Sequence, residues 1–368
     1  MQAPSSTCKT LANLCAPILF RSISLEEVDS KRQRRLAENV QGLGELVREL
    51  RFTLESGGTD GKESRVYQML AKMPNIRAIT VIHEREDIAS HTALLTTINQ
   101  FYQFERLTLQ EKHHNPTSAY LPPPHLEVPQ TFFHQFLHNV VKFHGHRLKS
   151  LHLFTLLRLS GDLYIKIRDS TPNLRQLTLG CGIGVELRAQ FFKPILWASG
   201  KTGSLESLTL HNFPGVYVGS FALNVIRGAY GNHLKSVRLV ASGVTKTDIP
   251  SIPTASSPAQ ATVDCLHVDY ISGWELQGLS LIPVQDLSLR LLFPSDILEL
   301  PALLAIGFAG MRKLRLSPGM DSLEAWENLS KEAGRAFKEV QERCLHRGVQ
   351  LSFDAVTWPN ACIAHVHI

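Results

Sequence analysis

The 368-residue chain has no long apolar run, and its six cysteines form no C-x-x-C pair. The stretch from Leu11 to Phe20 is interrupted by Asn13 and Pro17, well short of the roughly 18 apolar residues a membrane helix needs and unlike a secretory leader. Cys8, Cys15, Cys181, Cys265, Cys344 and Cys362 are scattered, which is cysteine usage of a reducing compartment, so a cytoplasmic or nuclear chain without disulfides is expected. The sequon at Asn328 is then expected to stay unmodified. Charge of one sign is also scarce: the net charge is +5 over the whole length. Its one dense basic cluster, Lys31-Arg-Gln-Arg-Arg35, lacks the interleaved aromatics of a nucleic-acid stripe and fits a solvated helix face or a nuclear-localisation signal. Catalytic signatures are missing too. In His134-x-x-x-His138 the glutamate of a zinc protease is replaced by Gln135, and Gly180-Cys-Gly-Ile-Gly184 lacks both the third spaced glycine and a P-loop lysine. No G-x-S-x-G occurs. Neither an enzyme, nor a cofactor, nor a metal site is expected.

What the chain has in abundance is leucine, and it recurs in one phrase: apolar, two variable residues, apolar, one variable, apolar. The phrase reads Ile76-x-x-Ile79-x-Val81, Phe104-x-x-Leu107-x-Leu109, Leu148-x-x-Leu151-x-Leu153, Leu174-x-x-Leu177-x-Leu179 and Leu205-x-x-Leu208-x-Leu210. It continues as Leu234-x-x-Val237-x-Leu239, Val263-x-x-Leu266-x-Val268, Val284-x-x-Leu287-x-Leu289 and Met311-x-x-Leu314-x-Leu316, with weaker copies at Phe20 and Val47. Steps of mostly 26 to 31 residues separate the copies. Repetition at that period predicts an α/β leucine-rich-repeat solenoid, with a curved parallel sheet on its concave side and helices and loops on its convex side. Within each phrase the two last apolar residues share one strand face and enter the core, so the residues between them line the other face.

The connections between strands must cross over, and several read as helices. Asp29 to Val47, Thr131 to His144 and Phe221 to Tyr230 carry apolar stripes. From Leu323 to Cys344 a longer amphipathic stripe follows a capping-box-like Asp321 and Glu324, with Gly348 as its stop and Val349 to Phe353 as a closing strand. Proline density predicts loop insertions at 110–130 and 249–262. The expected organisation is a short helix over 1–19, irregular repeats over 20–320, and a capping helix, strand and tail over 321–368.

Ser6 to Leu25 resembles the exit of the F-box in fungal F-box and leucine-rich-repeat proteins, with Cys8, Leu11, Leu14, Pro17, Leu19, Phe20 and Arg21 at the matching positions. In that family a helix ending the F-box runs into the first repeat strand. Met1 to Leu14 would supply only that closing helix, so the resemblance implies the recognition half: the substrate-binding part of an SCF-type ubiquitin-ligase adaptor. A Skp-type linker and a cullin are implied as partners only if a complete F-box lies upstream. The other reading is a leucine-rich-repeat scaffold unconnected to ubiquitin ligation. Either way the expected partner is a protein, with no nucleic acid and no membrane, and the chain is expected to be a monomer. The candidate partner-binding residues are those flanking the central leucines: His152, Thr178, Thr209, His211, Arg238, His267, Arg290 and Arg315.

Overall fold

Alternating apolar and polar residues cannot all face one environment in an extended chain, and each repeated phrase resolves this as a strand with one face buried. The computed structural model describes residues 15–25, 44–54, 69–83, 96–111, 132–155, 166–167, 169–181, 205–213, 234–241, 263–271, 276, 280, 282–291, 296–317 and 330–353. These described residues divide into two compact units, one up to Leu174 and the other from Arg175 onward. The first contains β1 (Ser22–Ser24), β2 (Glu49–Leu54), β3 (Ala78–His83), β4 (Arg106–Glu111) and β5 (Ser150–Thr155). The second contains β6 (Gln176–Cys181), β7 (Ser207–Phe213), β8 (Ser236–Ala241), β9 (Val263–Ile271), β10 (Val284–Leu291), β11 (Lys313–Ser317) and β12 (Gln350–Phe353). Within each unit, consecutive strands pair in parallel and in sequence order. This is the build of α/β leucine-rich repeats.

The register aligns the phrases residue for residue. Leu50, Ile79, Leu107 and Leu151 lie in one row of the first unit. Leu177, Leu208, Val237, Leu266, Leu287 and Leu314 lie in the corresponding row of the second. All are at most 2% exposed, and each aliphatic side chain so buried stabilises its repeat by about 1.5–3 kcal/mol. A second buried row runs through Phe52, Val81, Leu109 and Leu153, and in the other unit through Leu179, Leu210, Leu239, Val268, Leu289 and Leu316. The weak copies are real: Ile23 and Leu50 pair across β1 and β2, and both are buried.

Successive turns are also tied at the residue before each strand. The carbonyl of Arg48 accepts from the backbone N–H groups of Arg77 and Ala78, that of Arg77 from Glu105 and Arg106, and that of Glu206 from Lys235 and Ser236. Those positions carry charges that alternate in places: Lys149 meets Glu105 at 2.8 Å, and Glu206 lies between Arg175 at 3.9 Å and Lys235 at 3.4 Å. All are solvent-exposed pairs, so each adds at most about 1 kcal/mol. Asparagines that follow a proline do similar work: the amide of Asn75 donates to the Glu45 carbonyl at 2.9 Å and that of Asn173 to the His146 carbonyl at 2.7 Å.

Three helices are described in the crossovers: α1 (Phe132–His144), α2 (Asp296–Ile306) and α3 (Ser330–His346). The first agrees with the expected 131–144 stripe, burying Phe136, Leu137, Val140 and Val141. Gly145 follows it because the next turn passes against its backbone; a Cβ there would overlap the Ser170 carbonyl. In α3 the expected stripe is realised from Ser330 onward, where Ala333, Phe337, Val340 and Cys344 are buried. Gly348 ends it at φ +66°. Its N–H donates to the Leu345 carbonyl, and the N–H of Val349 donates to the Cys344 carbonyl at 2.8 Å, which is the Schellman arrangement that a left-handed glycine permits. β12 then closes the unit where the terminal strand was expected. Burial pushes the Cys344 thiol up to about 11.

The helix α2 was not anticipated, because Pro301 lies inside it and removes one backbone donor. It persists because Ile297, Leu300 and Leu304 are almost wholly buried. Arg347 at the end of α3 supports it further, its guanidinium donating to the Gly307 carbonyl at 3.0 Å and the Phe308 carbonyl at 2.9 Å. The expected helices at 29–47 and 221–230, the residues Asp321 and Glu324, and the insertions at 110–130 and 249–262 fall wholly or mostly outside the described residues. Gly180 and Cys181, which open the glycine-rich segment, are the last two residues of β6 itself. Among the described residues no helix is long and apolar enough to cross a membrane.

Candidate recognition surface

Opposite the buried rows, each strand turns one residue outward between its two core positions. In the first unit this outward row is Arg51, Thr80, Thr108 and His152. In the second it is Thr178, Thr209, Arg238, His267, Ser288, Arg315 and Ser352, each in register with the next. Parallel strands lie about 4.8 Å apart, so these side chains form a ladder across the sheet. Six of the eight residues expected at the surface fall in these two rows. His211 and Arg290 fall in the next row along their strands, His211 paired with Val240 and Arg290 with Ser317; the side chain of His211 lies outside the described residues.

The ladder is not uniformly open. Thr178 was expected as a solvent-facing rung, but it is only 7% exposed, so it lines the packed part of the face. Thr209 and His267 are half-buried, while Arg238 and Arg315 are exposed. His152 is half-buried as well, with its Nε2 2.7 Å from the Ser150 hydroxyl. Burial, and then the nearby Arg106 guanidinium, push its imidazole below its ordinary value, so it is an uncharged rung at neutral pH.

The most structured part of the surface is one the sequence reading overlooked. Asp269 sits two residues beyond His267 on β9, on the same outward side, yet is 4% exposed. Its Oδ2 accepts from an Arg238 Nη at 3.0 Å, and its Oδ1 lies 2.8 Å from Nε2 of His267. Burial alone would raise the Asp269 carboxyl, but the hydrogen bonds from His267 and Arg238, and their charge, outweigh it and hold the acid below its ordinary value. Asp269 is therefore a carboxylate and can only accept, which puts a proton on Nε2 of His267. A buried anion thus fixes the orientation of two outward cations or donors from two adjacent strands. Arg315, by contrast, makes no hydrogen bond or ion pair among the described residues; Ser288 and Ser352 flank it in register. Beside it Lys313 faces Asp286 at 3.7 Å.

No group of three or more metal-ligating side chains occurs among the described residues. His138, on α1, is half-buried, and burial followed by Lys166 and Lys142 lowers its imidazole. The side chain of His134 lies outside the described residues.

No protein-family model and no curated protein matches the sequence. Among solved structures, the chain is similar to the leucine-rich repeat-containing protein LegL7 from Legionella pneumophila, with a TM-score of 0.46 and 15% identity over 87% of this chain and 89% of that one. It is also similar to a chain of the Rad7 and Elc1 complex in yeast, with a TM-score of 0.37 and 14% identity over 91% of this chain and 80% of that one.

Proposed function

We propose that this protein is a non-catalytic recognition module that docks a protein partner on the outward ladder of its sheet. The observation that carries the reading is the second unit's row from Thr209 to Ser352, which presents hydroxyls, an imidazole and two guanidiniums in strict register on a rigid core. Hydroxyls and amide-sized polar groups give adaptable hydrogen bonds, and guanidiniums give charge-assisted ones. A surface built on strands holds such groups more firmly than loops would.

The narrower reading is the substrate-selecting part of an SCF-type adaptor in the cytoplasm or nucleus. It is supported by the resemblance at Ser6 to Leu25, and by the helical turn at 15–19 that leads directly into β1, as the closing helix of such proteins does. The test is affinity purification of the full-length gene product, followed by mass spectrometry. Recovery of a Skp-type linker and a cullin, together with a partner lost on Thr209→Trp, supports the adaptor. A partner lost on Thr209→Trp without linker or cullin supports the scaffold. Partner capture indifferent to Thr209→Trp refutes recognition through this face.

A further inference from the structure

We propose that strands β8 to β11 dock an extended acidic segment of the partner protein, whose carboxylates engage Arg238 and Arg315, with Asp269 acting as a positioning residue beneath. The proposal rests on the recognition reading above and specifies the chemistry of what is recognised. Three observations point to it. The outward row of these strands, Arg238, His267, Ser288 and Arg315, contains no acid. Two acids lie two residues from this row on the same face: Asp269 is buried and already bonded to Arg238 and His267, and Asp286 faces Lys313 at 3.7 Å. Arg315 is exposed and, among the described residues, makes no hydrogen bond or ion pair, with a serine on either side in the row.

Geometry selects a segment over a single anion. Arg238 and Arg315 stand three strand spacings apart, about 14 Å at 4.8 Å per spacing. One phosphate or carboxylate group is too small to bridge that gap. An extended chain advances about 3.3 Å per residue, so carboxylates about four residues apart, laid across the strands, meet both guanidiniums. Between them, the Ser288 hydroxyl donates or accepts, which suits the backbone of a crossing strand-like segment. Arg238 keeps free N–H donors because Asp269 occupies only one of its nitrogens.

Asp269 separates this mechanism from diffuse charge attraction. Removing its negative charge makes the face more positive, so general electrostatics predicts tighter binding of an acidic probe. If Asp269 instead orients Arg238 and His267, its loss weakens binding.

The experiment is fluorescence anisotropy of the full chain with a fluorescein-labelled peptide bearing glutamates about four residues apart. A lysine counterpart and a counterpart with one phosphoserine and no glutamate serve as comparisons. The glutamate peptide is expected to bind best, and less well as salt rises. Arg315→Gln should weaken it about tenfold, the scale of one charge-assisted hydrogen bond. Asp269→Asn should weaken it too, while Arg77→Gln, on the strand-start band where its side chain donates to Gln103 at 3.1 Å, should leave it unchanged. Tighter binding by Asp269→Asn, an equal loss in Arg77→Gln, preference for the phosphorylated peptide, or no binding of the glutamate peptide would each overturn the proposal. Should Asp269→Asn fail to fold in a thermal melt, Arg315→Gln decides alone, and an unchanged affinity there refutes it. If the proposal fails while Thr209→Trp still abolishes capture of the native partner, recognition by this face stands and only the partner's chemistry is wrong.

Discussion

Leu314 and Arg315 are neighbours on β11 with opposite fates, which makes them the sharpest test of the register. Leu314 is 0% exposed, between Leu287 on β10 and Leu351 on β12. Leu314→Ala removes three carbons, worth about 2.4 kcal/mol at roughly 0.8 kcal/mol each. The cavity left in a row clamped on both sides adds to this, so a loss of about 3–4 kcal/mol is expected, inside the range of about 2.7–5 kcal/mol for such changes. Arg315→Ala removes a side chain in water with no partner among the described residues and should change stability by no more than about 0.5 kcal/mol. Urea unfolding followed by far-ultraviolet circular dichroism measures both. An unchanged slope with a shifted midpoint in Leu314→Ala would establish that the cost lies in the folded core. Because repeats contact mainly their neighbours, β12 and α3 could instead uncouple from the rest. Hydrogen exchange would then show early loss of protection in Gln350–Phe353. Equal costs for the two substitutions, or a larger one for Arg315, would refute the strand register described above.

Gly145→Ala should destabilise by about 1–3 kcal/mol, because its Cβ would overlap the Ser170 carbonyl and backbone must shift; a thermal melt unchanged from the parent would contradict that packing. His144 is buried against Phe104, ring centroids 5.1 Å apart. Burial is the largest influence on it and lowers its imidazole below the ordinary 6.5. The unfolded state therefore binds the extra proton first, and stability should be full above about pH 6.5 and fall as pH drops below it. His144→Phe should flatten the urea-midpoint profile between about pH 6.5 and 5, and an unaltered slope would argue against the assignment. Arg347→Met, which keeps the stem but removes the donors to the Gly307 and Phe308 carbonyls, should cost about 1–2 kcal/mol and speed exchange at the end of α2. Thr178→Ala should cost more than Thr209→Ala, since Thr178 is buried and Thr209 only half-buried; the reverse order would place the outward row differently.

Much of the fold could be read from the chain because its signal is local and repeated. A strand position is fixed by its own alternation, and a register error of one residue would turn Leu208 outward and Thr209 into the core, so the aliphatic phrases locate both faces together. The stripes of α1 and α3 and the glycines that stop them, Gly145 and Gly348, are local in the same way. The helix α2 was concealed by Pro301 and by a run of apolar residues with no clear polar face; its helical form depends on burial and on Arg347, some forty residues away.

The amino-acid order by itself determined that parallel strands would stack with leucines inside and polar residues between them, since that follows from spacing alone. Which of those polar residues stay open to solvent was decided only by the tertiary structure. Thr178 and Thr209 occupy equivalent places in the phrase, yet one is buried. Asp269 acquires its role from a hydrogen bond to Arg238, 31 residues earlier, a pairing that exists only once β8 and β9 lie side by side. Burial and cross-strand charge are properties of neighbours in space, and a linear pattern carries the positions of those neighbours without the environment they create.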